Sequence, residues 1–139
     1  YWQNETANAA AFTGGFWKSG DIGAVDAEGF VRLYDRKKDM ISRGGYKIYP
    51  AEVESVLTEH PDVIECAIVG QACPVLGERV HAFVVAKSGT LDASSIRAFC
   101  APRMADYKVP EFVTVLPDAL PRNANGKMQK DALRKLLPT

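Results

Sequence analysis

The chain has 139 residues, 47% apolar and 24% charged, the ordinary balance and size of a single globular domain. Seventeen basic residues face seventeen acidic ones, so no net charge draws it toward nucleic acid or an anionic lipid surface. Its longest apolar runs, such as Cys66-Ala67-Ile68-Val69 and Ala82-Phe83-Val84-Val85, fall far short of the ~20 residues that span a bilayer.

Residues 1–18 read as an alanine-rich helical start and a glycine-rich loop at Gly14-Gly15. The opening Tyr1-Trp2-Gln3 has no initiator methionine and no charged-then-apolar leader pattern, so a piece of a longer chain is expected. Strand composition over 22–25 and 30–34, with the turn-forming Asp26-Ala27-Glu28-Gly29 between them, predicts a β-hairpin. The charged run 35–39 reads as a surface linker, and a domain boundary is expected there, dividing 1–37 from 38–139.

Beyond it, 40–42 and 47–49 read as short strands around Arg43-Gly44-Gly45. Pro50 opens a helix where its missing N–H costs nothing, and Glu52 and Glu54 are assigned to the first turn, where the helix dipole favours carboxylates. Residues 63–70 and 79–87 read as buried strands, 91–100 as a helix capped by Asp92, 112–116 as a third main strand, and 130–137 as a closing helix after the turn-rich stretch 117–126. The fold class is therefore α+β, with a three-stranded main sheet flanked by helices and preceded by a β-hairpin. Cys66, Cys73 and Cys100 show no CxxC spacing and read as reduced thiols of a cytoplasmic protein, with neither a disulfide nor a metal site.

Four segments carry chemistry. They are Trp17-Lys18-Ser19-Gly20-Asp21, Asp35-Arg36-Lys37-Lys38-Asp39-Met40-Ile41, the run from Ser42 through Gly44-Gly45 to Pro50-Ala51-Glu52-Val53-Glu54, and Pro121-Arg122-Asn123-Ala124-Asn125-Gly126-Lys127-Met128-Gln129-Lys130. In this order and at these separations they resemble the C-terminal part of the adenylate-forming superfamily, which holds acyl- and aryl-CoA synthetases, peptide-synthetase adenylation domains and firefly luciferase. The resemblance covers essentially the whole chain.

What it implies is an ATP-dependent acyl-CoA synthetase. A carboxylic acid attacks the α-phosphate of ATP to give an acyl-adenylate and pyrophosphate, and the thiol of CoA then displaces AMP. ATP, Mg2+ and CoA are the implied substrates or cofactors of the parent enzyme. Residues 1–37 would be the tail of a large N-terminal domain, itself missing here, and 38–139 a mobile lid used in both steps.

By resemblance, Asp21 holds the ribose hydroxyls, since a carboxylate accepts the two hydrogen bonds that a vicinal diol donates. Arg36 lies near ribose and phosphate, with a fork of donors suited to oxyanions. Lys38 falls at the hinge, Gly44 and Gly45 line the pantetheine tunnel, and Lys127 is the catalytic lysine of adenylation, placed to neutralise charge developing in the transition state. Arg43, Lys47, Arg103 and Lys108 are candidate cations for the phosphates of CoA. Lys127 is also a natural target of regulatory acylation, which would remove its charge. His81 reads as structural. No acyl pocket or phosphate-binding loop is in the sequence, so the chain alone should be inactive. Two alternatives stand beside this reading: an adenylation domain that loads a carrier-protein thiol, and a non-catalytic binding module that keeps the fold. A luciferase-like oxygenase is a lesser third.

Overall fold

The computed structural model describes residues 1–87 and 91–138. These form two compact units, Tyr1–Lys38 and Asp39–Thr139.

In the first unit, helix α1 (Glu5–Ala11) is capped by Asn4, whose side chain accepts the Ala7 N–H at 2.9 Å. Strands β1 (Phe12–Thr13) and β2 (Phe16–Trp17) form a minimal hairpin. The larger hairpin pairs β3 (Asp21–Val25) with β4 (Val31–Arg36) in antiparallel register. Its turn is made by Asp26, whose Oδ1 accepts the backbone N–H of Glu28 and of Phe30, at 3.0 and 2.9 Å. Strand β4 runs two residues further than composition predicts. Asp35 and Arg36 pair with Ile22 and Asp21, so this charge belongs to a strand and not to a linker. The cause is the partner strand, which offers Arg36 a carboxylate directly across the ladder.

The second unit is a five-stranded sheet with helices on it. Strands β5 (Ile41–Arg43) and β6 (Tyr46–Ile48) make a tight hairpin. Pro50 then starts helix α2 (Pro50–Thr58) at its first position. Only Glu52 lies in that first turn; Glu54 sits deeper in the helix and turns to tertiary partners. The long strands β7 (Val63–Cys73) and β8 (Gly77–Ala86) pair antiparallel along their length. Helix α3 (Ala93–Cys100) follows, with Asp92 accepting the Ser95 N–H at 2.8 Å as its cap. A single 3-10 turn (Asp106–Lys108) precedes β9 (Phe112–Leu116), which lies parallel to β8. The closing helix α4 (Lys130–Arg134) is three residues shorter than expected.

Consecutive side chains of a strand point to opposite faces, and here both faces are covered. Cys66 and Ile68 of β7, with Val80, Ala82 and Val84 of β8, pack with Ile41, Ile48, Val53, Leu57 and Ile96 from the β5–β6 hairpin, α2 and α3. Ala67 and Val69, with Phe83 and Val85, pack on the other face with Leu120 and Leu133. Each fully buried large apolar side chain contributes about 1.5–3 kcal/mol relative to exposure. The alternation thus feeds two separate cores from one pair of strands.

Candidate functional site

The sequence-predicted residues fall into three groups. In the first unit, Asp21 and Arg36 face each other across β3 and β4, and Arg36 Nε stands 2.7 Å from Asp21 Oδ1. The pair is partly open to solvent, with side chains 25% and 50% exposed respectively. One carboxylate oxygen and the remaining guanidinium N–H groups are left for a ligand. A carboxylate offers about four acceptor sites, so the ion pair does not exhaust Asp21. The Ser19 hydroxyl accepts the Asp21 N–H at 3.1 Å and sets the strand entry. The Lys37 N–H donates to Gly20 O at 2.8 Å, and Gly20, Arg36, Lys37 and Lys38 line a shallow recess. Lys38 ends this unit.

Gly44 and Gly45 are the two loop residues of the β5–β6 hairpin, both exposed, with φ of 53° and 90°. A two-residue hairpin that needs positive φ at both positions calls for glycine. The expected strands, 40–42 and 47–49, left four residues between them; the observed ones each reach one residue closer to the turn. The Gly44 N–H donates to Leu76 O at 2.8 Å, tying the loop to the β7–β8 turn, and Gly45 has nothing within 4 Å of where a Cβ would stand. The loop therefore presents bare backbone. Beside it the Tyr46 and Tyr107 rings stack with centroids 4.3 Å apart.

Lys127 sits in an exposed loop closed at its base by a bridge between Arg122 and Met128. Asn123 organises it: its Oδ1 accepts the N–H of Lys127 at 2.8 Å and of Asn125 at 3.1 Å. Asn123 also closes the loop through its backbone, donating N–H to Lys127 O and accepting the Gly126 N–H, both at 2.9 Å. The φ of 76° at Gly126 makes that turn possible. Arg122 donates from Nη1 to Gly126 O at 3.0 Å and from Nη2 to Glu65 Oε2 on β7 at 2.6 Å. Glu65 Oε1 accepts the Leu120 N–H at 2.7 Å. The Arg122 hydrogen bond, with the Leu120 N–H, holds the Glu65 carboxyl below the usual carboxylate range. Met128 and Leu120 anchor the loop in the second core. The Lys127 ammonium itself has no hydrogen bond or ion pair among the described residues, so its charge is available.

The two loops of the second unit are anchored in different cores. The glycine hairpin goes with Ile41 and Ile48 in the core shared with α2 and α3, and the Lys127 loop goes with the core of Phe83 and Leu133. The remaining candidate cations are all engaged. Arg43 pairs with Glu111 and Lys108 with Glu52, at 2.7 and 2.6 Å. Lys47 donates to Ser42 Oγ, and Arg103 lies over the Phe99 ring. His81 is satisfied on both ring nitrogens by Gln71 and Thr114, at 2.9 and 2.8 Å, and burial lowers its pKa. Glu65 and Asn123 are what sequence reasoning missed. Asn at the head of an Asn-x-x-Gly run is a local turn signal, whereas nothing local marks Glu65.

Comparison with known proteins finds matches to the chain as a whole. The AMP-binding enzyme C-terminal domain family matches residues 52–127. The chain belongs to this family. Over 139 residues it is 45% identical to the 2-succinylbenzoate–CoA ligase of Geobacillus kaustophilus, covering 99% of this chain and 28% of that enzyme. It is 42% identical over 135 residues to the long-chain-fatty-acid–CoA ligase FadD13 of Mycobacterium tuberculosis, covering 97% of this chain and 27% of the relative. Among solved structures, the o-succinylbenzoate CoA synthetase of Bacillus subtilis, in complex with an acyl-adenylate intermediate, superposes with a TM-score of 0.87 at 42% identity, over 96% of this chain and 27% of that one. The chain of this AMP-binding C-terminal domain thus spans little more than a quarter of the length of the relatives it matches.

Proposed function

We propose that this AMP-binding C-terminal domain is the lid of an AMP-forming acid–thiol ligase, an acyl-CoA synthetase, and that Lys127 is its adenylation lysine. The parent's first step forms a bond between a carboxylate oxygen and the α-phosphorus of ATP, breaks the α–β bond and releases pyrophosphate. In the second, the CoA sulfur attacks the acyl carbon, the bond to the AMP oxygen breaks, and the thiol proton is lost to solvent.

The observation that carries the reading is Lys127: an unpaired ammonium on a hydrogen-bonded loop, within the region that matches the family. A fixed cation aimed where charge develops is among the strongest catalytic devices a protein has. In this reading Asp21 accepts hydrogen bonds from the ribose hydroxyls while Arg36 keeps it oriented and offers its free N–H groups to phosphate. Gly44 and Gly45 let the pantetheine arm pass close to backbone. The elements that carry Lys127 and the glycine pair are anchored in different cores, and in this reading the lid turns between steps to bring each in turn to a single acyl-adenylate. Lys38, where the two compact units meet in sequence, is the proposed pivot, and residues 1–37 are the proposed end of the large domain. The described residues contain no group of three or more His, Cys, Asp or Glu side chains that could hold a metal ion. Among the described residues no helix is long and apolar enough to cross a membrane, and three free cysteines fit a reducing, cytoplasmic setting.

The test uses the full-length protein that carries this chain, with 2-succinylbenzoate and palmitate as the first acids tried. Lys127→Ala should lower ATP–pyrophosphate exchange by about 100-fold or more and spare thioester formation from preformed acyl-adenylate and CoA. Equal loss in both assays, or in neither, would refute the assignment. Thioester formation on a carrier-protein thiol but not on CoA would move the parent to the carrier-loading class. The present chain alone should support no exchange.

A further inference from the structure

We propose that Glu65, acting through Arg122, is the positioning residue that aims Lys127 for adenylation, with Asn123 as its counterpart inside the loop. This rests on the reading of Lys127 above.

A lysine ammonium hangs on a flexible four-carbon stem, so the volume it samples is set by the peptide that carries its Cα. That peptide, Gly126–Lys127, is held at both ends. Its carbonyl accepts from Arg122 Nη1 at 3.0 Å and its N–H donates to Asn123 Oδ1 at 2.8 Å. A peptide unit is planar, so two opposed hydrogen bonds fix its orientation and with it the N–Cα bond of Lys127. The Asn123 N–H on Lys127 O, at 2.9 Å, holds the next peptide, and the two together set the direction of the Cα–Cβ bond. Neither anchor would be immobile alone on an exposed loop. Arg122 is made so by Glu65, 2.6 Å from its other nitrogen, and Glu65 stands on β7, between Ile64 and the buried Cys66. The second Glu65 oxygen takes the N–H of Leu120, itself only 2% exposed. One carboxylate on the long strand β7 therefore grips the loop at its entry and, across the fork of a guanidinium, at the residue before the lysine. Arg122→Lys would keep the charge but lose the planar fork that spans both acceptors.

A merely structural ion pair would affect stability, or both half-reactions alike. A positioning role predicts a split. In the full-length protein we would compare Glu65→Gln, Arg122→Lys, Asn123→Ala and Asn123→Asp in the two assays, with the acid the enzyme activates and Lys127→Ala as reference. Glu65→Gln turns an amide N–H toward Arg122, which has no acceptor to offer, and so releases the arginine while preserving size. A misplacement of about 1 Å can cost about 100-fold in rate. Glu65→Gln, Arg122→Lys and Asn123→Ala should accordingly lower kcat for pyrophosphate exchange by ~10- to ~100-fold. KM for ATP and thioester formation from preformed adenylate should stay near wild type. Asn123→Asp keeps the accepting oxygen and should restore exchange relative to Asn123→Ala. The proposal is overturned if these variants leave exchange intact while Lys127→Ala abolishes it, or if they lower both half-reactions equally. If Lys127→Ala itself spares exchange, the failure lies in the assignment of the lysine, and the positioning role falls with it.

Discussion

Removing the Glu54 carboxylate should destabilise the second unit by about 3 kcal/mol, and the structure divides that figure into two parts. Glu54 Oε1 accepts the Ile68 N–H of β7 at 2.8 Å and stands 2.6 Å from Lys130 Nζ at the start of α4. A hydrogen bond to a charged acceptor contributes about 1.5–3 kcal/mol. The ion pair, with side chains 23% and 16% exposed, lies between solvent-exposed pairs worth about 0–1 kcal/mol and buried ones that cost about 3–5 kcal/mol to break. Glu54→Ala loses both and strands the Ile68 amide. Glu54→Gln keeps an amide oxygen for that N–H and loses only the pairing, about 1 kcal/mol. Urea unfolding would measure this by far-UV circular dichroism, because both tryptophans, Trp2 and Trp17, belong to the first unit and would report on the wrong part. With a slope of about 1.5 kcal/mol/M, the alanine midpoint should fall by about 2 M and the glutamine midpoint by well under half of that. An alanine variant within about 0.5 kcal/mol of wild type would place Glu54 among ordinary surface residues and refute the reasoning. So would a glutamine variant as unstable as the alanine one.

Two further expectations concern titratable groups. Burial pushes the His81 imidazole below its ordinary value of 6.5, so the folded state binds the proton less readily than the unfolded chain does. The corresponding stability is fully present above pH 6.5 and is lost as pH falls through the depressed value. The urea midpoint of wild type should therefore drop more between pH 7.5 and 5 than that of His81→Asn, and parallel pH profiles would contradict this. Among the thiols, the Leu76 and Val75 backbone N–H groups lower the Cys73 pKa, whereas burial pushes Cys66 up to about 12 and raises Cys100. Brief iodoacetamide treatment of native protein at pH 7.5, followed by peptide mass spectrometry, should find Cys73 labelled first; equal labelling of the three would count against the assigned environments.

Local signals were legible where the physics is local. Pro50 at the first helical position, Asp92 as a cap and the strand β9 all appear where the residues place them. The motif loops were legible as loops because glycine and asparagine announce turns. What the sequence concealed is what depends on distant partners. The arm of Glu65 that reaches Arg122 crosses 57 positions and that of Glu54 to Ile68 crosses 14, and neither carboxylate differs in sequence from one on a solvated surface. The parallel pairing of β9 with β8 was hidden for the same reason, since strand composition carries no partner. Misplaced ends, such as Asp35-Arg36 read as linker, occurred where a cross-strand ion pair drew charge into a ladder.

The covering of both sheet faces bears on which substitutions this domain tolerates. A sheet with one wet face accepts polar replacements at every second position. Here Cys66, Ala67, Ile68 and Val69, and opposite them Val80 through Val85, are buried without interruption. Sequence drift in these strands should be curtailed at odd and even positions alike, so diversity among homologous domains is left to the turns, helix backs and termini. These buried strands should tolerate less change than the exposed loops they support.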